Sequence, residues 1–261
     1  MHKTVKNGIV AYFDILGYKE FILKNPPEYC VEMINEVFKK VPEDIKTHFL
    51  SCGRQDKIYK EIENYFINHH NVLILSDTII FFFDIDSIET DNISTFLHQI
   101  LYYLIFFMNT SFNMGFPMRG CIEYGDYLYD TEDKKIIFAG RAIANCNNET
   151  NNLNFSGLVM TNAAHKLYCD YKDKPYVDII FGNNIIKDYL VDTKNGETIK
   201  YLVNFMQKYE CPDLMQYIFN CFHEHKKEIN NNVMDKIRNT EIIFRHFICN
   251  NDLLRKKFTK W

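Results

Sequence analysis

Two aspartates interrupt apolar, strand-like segments, and such a pair restricts the folds that the chain can adopt. Asp14 lies in Gly-Ile-Val-Ala-Tyr-Phe-Asp-Ile-Leu-Gly, and Asp77 lies in Val-Leu-Ile-Leu-Ser-Asp-Thr-Ile-Ile-Phe. A carboxylate in apolar surroundings is unfavourable unless a positive group pairs with it. If the fold brings the two together, a divalent-metal site is expected. The structural alternative is that Asp14 caps a helix and Asp77 belongs to a turn.

Composition excludes several classes of protein. The 261 residues are 47% hydrophobic, which allows a substantial core, and the net charge of -4 provides no general basic field for nucleic acid. The eight cysteines include no Cys-x-x-Cys pair, so a zinc site has no support. The apolar run Ile100–Met108 is too short to span a bilayer, which needs about 20 residues. With no signal peptide, we expect a cytoplasmic protein without membrane or nucleic-acid partners.

Hydrophobic periodicity predicts an alternating order of elements. The predicted strands are Ile9–Ile15, Val72–Leu75, Thr78–Phe83, Met118–Tyr129, Lys135–Ala139, Leu158–Thr161 and Tyr176–Phe181. The predicted helices are Tyr18–Leu23, Glu28–Lys40, Ser94–Asn109, Arg141–Thr150 and Asn162–Tyr168. Thr47–Gly53 is predicted to be a loop, and Ile58–Ile67 a helix or an irregular approach to the next strand.

The order βααββαβ, followed by βαβ elements, predicts an α+β fold with a ferredoxin-like core. In that core the first strand lies beside the central hairpin, so Asp14 and Asp77 would meet at one edge of the sheet. Asp192-Thr-Lys-Asn-Gly196 is typical of a turn or linker, and the chain from Glu197 onward shows no strand pattern. We therefore expect a core domain over residues 1–190 and a helical extension over residues 191–261.

Four motifs resemble those of the class III nucleotidyl cyclases, the adenylate and guanylate cyclase family. Phe13-Asp-Ile-Leu-Gly-Tyr18 is similar to the family's metal motif, and Ser76-Asp77 stands where the family has Gly-Asp. Arg119-Gly-Cys-Ile-Glu-Tyr-Gly125 resembles its R-x-G-x-x-x-G strand, and Gly140-Arg-Ala-Ile143 resembles the start of its catalytic helix. The motifs occur in family order over about residues 9–150.

Further details resemble the pyrimidine cyclases of bacterial Pycsar anti-phage defence. Phe-Asp-Ile-Leu-Gly-Tyr, Leu-Ser-Asp-Thr-Ile and the C-terminal segment Lys236–Asn250 are similar to that branch. The resemblance implies a UTP or CTP substrate, a cyclic UMP or cyclic CMP product, and a separate effector that responds to the product. It also implies a head-to-tail homodimer, since class III sites form at a dimer interface.

The resemblance implies roles for particular residues. Asp14 and Asp77 would bind two Mg²⁺ or Mn²⁺ ions, with the Ile15 carbonyl contacting one of them. The backbone N–H groups of Leu16, Gly17 and Tyr18 would hold phosphates. Arg119 and Arg141 are further candidates for phosphate contact, with Arg141 a possible substitute for a missing family arginine; the alternative for each is a structural salt bridge. Tyr18 and Phe82 could line a base pocket.

Some family residues are absent. The transition-state Asn and Arg positions are occupied by Ala144 and Asn148, and the purine-selecting Lys position by Leu73. The purine-selecting Asp is also missing, with Ile137-Phe-Ala139 in its place. These departures are consistent with a non-purine substrate and equally with a catalytically degenerate binding module. A third possibility, a palm-fold oligonucleotide synthase, lacks its common Gly-Gly-Asp-Asp or Gly-Gly-Asp-Glu-Phe motif here.

Overall fold

The computed structural model describes residues 5–51, 70–86, 88–130, 136–206 and 213–258. The strands in this part of the chain are β1 (Lys6–Ile15), β2 (His70–Leu75), β3 (Thr78–Asp84), β4 (Met118–Asp130), β5 (Ile137–Ala139), β6 (Gly157–Met160), β7 (Ile186–Thr193) and β8 (Gly196–Val203). The helices are α1 (Tyr18–Lys24), α2 (Pro27–Ser51), α3 (Ile93–Asn113), α4 (Arg141–Asn152), α5 (Asn162–Asp170), α6 (Pro175–Gly182), α7 (Leu214–His223) and α8 (Asn231–Phe258), with a 3₁₀ turn at Thr90–Asn92.

The strands form a mixed sheet in the order β2-β3-β1-β4-β6-β8-β7, and β5 pairs with β4 outside this path. Neighbours are antiparallel except β4 and β6, which are parallel. The first four strands have the ferredoxin-like order, with β1 between β3 and β4. The predicted α+β, ferredoxin-like architecture is therefore confirmed.

Strand β1 is central because both of its faces are covered. Phe13 is fully buried, and its ring packs edge-on against Phe81 and Phe107 on the α3 side, with centroids 5.8 and 5.2 Å away. On the opposite face, Cys146 of α4 donates a hydrogen bond from Sγ to the Val10 carbonyl at 3.4 Å. Because side chains alternate along a strand, Tyr12 and Asp14 face the α4 side.

Helix α3 packs against the sheet and is largely buried. The predicted apolar face is buried throughout, with side chains 0–1% exposed at Phe96, Leu97, Ile100, Leu101, Leu104 and Ile105. The buried helix predicted from this pattern is confirmed, and it extends to Asn113. Among the described residues, none of the helices combines the length and hydrophobicity that crossing a bilayer requires.

The predicted loop at Thr47–Gly53 is wrong as far as the described residues reach, because α2 continues to Ser51. Val37, Val41 and Ile45 are 0–4% exposed, so the buried stripe continues at helical spacing past Pro42. Burial along this face outweighs the hydrogen bond that the proline removes. The predictions for Ile58–Ile67 and for residues 52–53 of the loop lie outside the described part of the chain.

Two predictions in the C-terminal half are also wrong. Tyr176–Phe181 is part of helix α6, which begins with Pro175 at its first turn and buries Val177 and Ile180. The segment after Glu197 is not wholly helical, because β8 spans Gly196–Val203 and pairs with β6. The boundary expected after residue 190 falls within β7, so the main sheet continues to Val203 and the two C-terminal helices begin at Leu214.

Candidate functional site

The fold brings Asp14 and Asp77 together at the end of β1. Asp14 pairs with Thr78 in the β1–β3 register, and Asp77 immediately precedes Thr78 in the hairpin turn. The Ile15 N–H donates to the Asp77 carbonyl at 2.8 Å, which joins the two segments directly. Residues separated by more than sixty positions in the chain therefore meet, as the ferredoxin-like element order predicts.

The hairpin turn has an unusual conformation. Ser76 has a φ of 57°, in the left-handed region that residues other than glycine seldom adopt. Burial raises the pKa of Tyr18, the first residue of α1, and the neighbouring Ser76 side chain opposes this rise. Backbone strain of this kind persists only where surrounding contacts enforce it. The hydrogen bond from the Ile15 N–H to the Asp77 carbonyl is one such contact.

Arg119 on β4 binds Asp14 and also contacts the end of α4. Its Nε donates to Asp14 Oδ2 at 2.7 Å, and its Nη1 donates to the carbonyls of Asn151 and Leu153, each at 3.1 Å. Its Nη2 donates to Asn151 Oδ1 at 3.3 Å. Every guanidinium nitrogen has a protein acceptor, and the side chain is 11% exposed. In this geometry Arg119 positions Asp14, which is the structural salt bridge considered as its alternative role.

The two carboxylates oppose each other electrostatically. Burial raises the pKa of the Asp14 carboxyl, Arg119 opposes this rise, and the charge of Asp77 adds to it. The Tyr12 hydroxyl lies 3.3 Å from Thr78 Oγ1. Burial raises the pKa of Tyr12, and the charges of Asp14 and Asp77 contribute to that rise. The site therefore concentrates negative charge that a cation would neutralise.

The donor atoms suit a hard divalent ion. Asp14 uses Oδ2 to bind Arg119, and the Asp77 carboxylate has no hydrogen-bond partner in the described part of the chain. Carboxylate and carbonyl oxygens are the ligands that Mg²⁺ and Mn²⁺ prefer. No cluster of three or more His, Cys, Asp or Glu side chains occurs among the described residues. Mg²⁺ is commonly bound by one or two carboxylates together with substrate phosphates. Asp14 and Asp77 therefore fit the expected ions.

The turn after Asp14 differs in one respect from the prediction. Gly17 is the N-cap residue of α1 and has a φ of 79°, a conformation that favours glycine. The Leu16 N–H donates to the Pro117 carbonyl at 2.9 Å. Leu16 is therefore not free to hold a phosphate through its N–H, contrary to the prediction. The N–H groups of Gly17 and Tyr18 have no backbone acceptor among the described residues and remain candidates.

A C-terminal loop that the sequence did not indicate supports this turn. Lys227 is 3% exposed, and its Nζ donates to the Gly115 carbonyl. A Cβ at Gly17 would lie 3.0 Å from Lys227 Cδ, so the lysine stem packs directly against the glycine. Burial lowers the pKa of Lys227 to about 8. The loop between α7 and α8 thus places a buried cation behind the turn.

Arg141 lies far from Asp14 in its own chain. Its guanidinium pairs with Asp126 Oδ1 at 3.0 Å, and its side chain is 86% exposed. Asp126 is opposite Asn7 in the β1–β4 register, seven residues from Asp14. At about 3.3 Å per residue, that separation is about 23 Å along the strand. The structure does not bring Arg141 to the carboxylates of the same chain.

An apolar groove adjoins the Asp77 turn. Its volume is about 300 Å³, and its lining includes Tyr12, Leu75, Thr78, Phe138, Ala139 and Ile143. Phe82, expected as a possible base-pocket residue, is fully buried and packs against Tyr127 and Tyr129. That interpretation of Phe82 is wrong, because its side chain belongs to the core.

Comparison with known proteins reveals similarity of structure alone. No family model matches the chain, and no curated protein matches it. A bacterial light-regulated adenylyl cyclase structure is 12% identical, with a TM-score of 0.50 over 86% of this chain and 58% of that one. The adenylyl cyclase CyaB of P. aeruginosa and the guanylyl cyclase Cya2 each have a TM-score of 0.48. They are 11% and 10% identical, and each match covers 80% of this chain and 98% of the other.

The match to the light-regulated enzyme shows that this chain has the fold of the class III adenylyl and guanylyl cyclase domains. The fold class expected from the four motifs is therefore confirmed. At this level of identity, the comparison extends to the fold alone.

Replacement of Asp77 tests the charge opposition at the site. We expect Asp77→Asn to leave the metal-free protein as stable or to stabilise it by up to about 1 kcal/mol, since a like charge near Asp14 is removed. The same variant should lose the stabilisation that Mn²⁺ gives the wild type. Thermal unfolding with EDTA and with Mn²⁺ measures both effects. Asp126→Asn is the control and should retain the Mn²⁺ response; a clear destabilisation of metal-free Asp77→Asn would contradict the expectation.

Replacement of Arg119 tests its hold on Asp14. Arg119→Met leaves a buried carboxylate without its partner and should destabilise the protein by about 3 kcal/mol at pH 7. Because the folded-state pKa of Asp14 is raised further in this variant, the destabilisation should shrink as the pH falls through that pKa and the carboxyl protonates. Urea unfolding at pH 7 and pH 4.5 measures the difference. Arg238→Met, which removes an exposed ion pair, should change stability by less than about 0.5 kcal/mol at either pH.

Proposed function

We propose that this protein is a nucleotide cyclase that converts a nucleoside triphosphate to its 3′,5′-cyclic monophosphate and pyrophosphate. The observation that carries the proposal is the meeting of Asp14 and Asp77 at the end of β1, in a chain with a cyclase fold. Asp14 is aimed by Arg119, and Asp77 is held by a strained turn. A strained turn costs stability, and strain of this kind is concentrated at functional sites.

The reaction needs few protein groups. The ribose 3′-oxygen bonds to the α-phosphorus, the bond from that phosphorus to the pyrophosphate oxygen breaks, and the hydroxyl proton passes to water. Asp14 and Asp77 would hold two divalent ions, whose chemistry is to acidify the 3′-hydroxyl and neutralise the leaving pyrophosphate. The Gly17 and Tyr18 N–H groups would orient the phosphates at the start of α1.

We further propose that the substrate is a pyrimidine nucleotide, UTP or CTP. The family's purine-selecting positions are apolar in this chain: Leu73 is 3% exposed, and Phe138 and Ala139 line the apolar groove. Neither offers the charged or hydrogen-bonding side chain that selects a purine in the family. The motif resemblance to the Pycsar branch supports an anti-phage role, in which the cyclic nucleotide activates a separate effector.

We propose that the active form is a homodimer. Arg141 lies about 23 Å along the strand from its own Asp14, so it could contribute only to a partner's carboxylates. Large apolar side chains are also exposed on β2 and around β5, on two sides of the groove: Ile74, Leu75, Ile136 and Ile137, which are 41–53% exposed. A head-to-tail dimer would cover this surface and bring Arg141 of one protomer towards the carboxylates of the other.

A degenerate, nucleotide-binding relative of the cyclases is the second candidate. The observation that favours it is the replacement of the family's transition-state Asn and Arg by Ala144 and Asn148 on α4. Ala144 lines the apolar groove and has no polar atom to stabilise a transition state.

Product analysis separates the candidates. The purified protein is incubated with each of the four nucleoside triphosphates and Mn²⁺, and products are identified by mass spectrometry. We expect cyclic UMP or cyclic CMP, with activity falling at least a hundredfold in Asp14→Ala and Asp77→Ala because each removes half of the metal site. Nucleotide binding without any product would favour the degenerate module, and an oligonucleotide product would favour a palm-fold synthase.

Complementation tests the shared site. Asp77→Ala and Arg141→Ala should each be inactive alone. When mixed in equal amounts and allowed to exchange subunits, they should recover up to about one quarter of wild-type activity, because half of the dimers are mixed and each contains one intact site. Mixing Asp77→Ala with Asp14→Ala is the control and should recover nothing. Full activity of Arg141→Ala alone would remove Arg141 from the mechanism.

A further inference from the structure

Helix α8 is anchored beside the strand that carries Arg119. The Asn239 side chain donates to the Asn154 carbonyl at 3.1 Å, and the Ser156 N–H donates to Thr240 Oγ1 at 2.9 Å. Ser156 Oγ in turn donates to the Met118 carbonyl at 2.7 Å. These bonds fix the N-terminal half of α8 at the start of β4. Lys236 is one helical turn before Thr240, so it is held in the same place.

The turn between β7 and β8 approaches from another side. The Lys194 N–H donates to the Asn152 carbonyl at 2.9 Å, and Thr193 forms a β-bridge with Leu153. The Asn195 side chain also donates to Asn152 Oδ1 at 3.1 Å. Arg119 binds the same end of α4 through the carbonyls of Asn151 and Leu153. The end of α4 thus joins Lys194 to the Arg119–Asp14 pair.

The resulting cluster has an excess of positive charge. Burial lowers the pKa of Lys236, and the charges of Arg119 and Lys194 lower it further, while Asp14 opposes them. Lys194 is exposed, but partial desolvation lowers its pKa, with Arg119 adding to the effect and Asp14 opposing it. In the described part of the chain, neither lysine has a carboxylate within ion-pair distance. Arg119, Lys194 and Lys236 therefore all interact electrostatically with Asp14, whose Oδ2 is already bonded to Arg119, and with Asp77 included the three cations still outnumber the two carboxylates.

We infer that Lys236 of α8 and Lys194 of the β7–β8 turn bind the polyphosphate chain of the nucleotide beside Asp14. This assignment rests on the proposed function and makes the C-terminal helix part of the substrate site. An ammonium group on a flexible stem is a common phosphate ligand, and a polyphosphate supplies the negative charge that the cluster lacks. Because Asp14 is bonded to Arg119, and Arg119 binds the same end of α4 as the Lys194 turn, the ions and the lysines would contact adjacent parts of one ligand.

The test uses inorganic tripolyphosphate as the probe, with EDTA present and no divalent metal. Isothermal titration should show binding to the full-length protein that weakens as salt increases. Lys236→Met and Lys194→Met should each weaken it about tenfold, and the double variant should abolish it. Lys166→Met, which removes an exposed lysine of α5, is the control and should bind like the wild type. Asp77→Asn should bind at least as well, because it removes negative charge.

A second measurement distinguishes ligand binding from a structural role. If Lys236 awaits an anion, Lys236→Met relieves repulsion and should unfold at the same or a higher temperature than the wild type without ligand. It should also lose most of the stabilisation by tripolyphosphate. If Lys236 instead serves to pair with Asp14, the variant should unfold at a clearly lower temperature, and the inference is overturned.

The outcomes separate this inference from the proposed function. Lysine-dependent tripolyphosphate binding without any cyclic product upholds the subsite and rejects the cyclase. A cyclic product from a Lys236→Met, Lys194→Met double variant with unchanged KM and unchanged tripolyphosphate affinity overturns the subsite and leaves the cyclase. Absence of tripolyphosphate binding by the wild type also overturns it.

A comparison of nucleotides tests the same subsite. UTP should bind more tightly than UMP in the wild type, and the double variant should lose this preference. Stronger binding of single-stranded RNA than of UTP would overturn the inference and assign the lysines to nucleic acid.

Discussion

The ion pair between Asp14 and Arg119 is the contact on which the candidate site depends. It joins the central strand β1 to β4, and the remaining nitrogens of Arg119 hold the end of α4. A carboxylate this buried requires such a partner, because an unpaired charge in the same position would strongly favour the unfolded state or protonate. With Oδ2 bound to the guanidinium, the carboxylate has one orientation, and the Asp77 turn is bonded to the next residue, Ile15.

Around this pair the molecule accumulates charge that does not cancel locally. Asp77 adds a second carboxylate, and Lys194 and Lys236 add cations that also interact electrostatically with Asp14. Both arrangements are unfavourable in the free protein, and each would be relieved by part of a metal–nucleotide complex: the carboxylates by divalent ions and the lysines by phosphates. Such opposition of charge is expected where a site is organised before its ligand arrives. It also explains why we expect neutral replacements of Asp77 and Lys236 to leave the free protein stable while weakening ligand binding.

The successes and failures of the sequence predictions have a common physical origin. Strand β1, the β2–β3 hairpin and the buried helix α3 were predictable, because long or strongly apolar segments carry their own periodicity. Predictions for short segments were less successful. The apolar segment Pro175–Gly182 is compatible with a strand or a helix, and it forms a helix that buries Val177 and Ile180. Helix α2 continued past Pro42 because its buried face outweighed a local signal. Strand β7, at the edge of the sheet, and its neighbour β8 were missed because most of their residues are exposed or half-buried, which leaves a weak apolar pattern.

The sequence by itself determined the order of the elements around Asp14 and Asp77, and therefore that the two aspartates meet at the end of β1. These follow from local periodicity and from the few ways in which βααββαβ can pack. Only the tertiary structure decided that Arg119 binds Asp14 and that Arg141 lies far from the carboxylates of its own chain. It also decided that Lys194, Lys227 and Lys236 lie near the candidate site. Such relations depend on strand register and on the docking of a distant C-terminal segment, which no pattern within a single segment encodes.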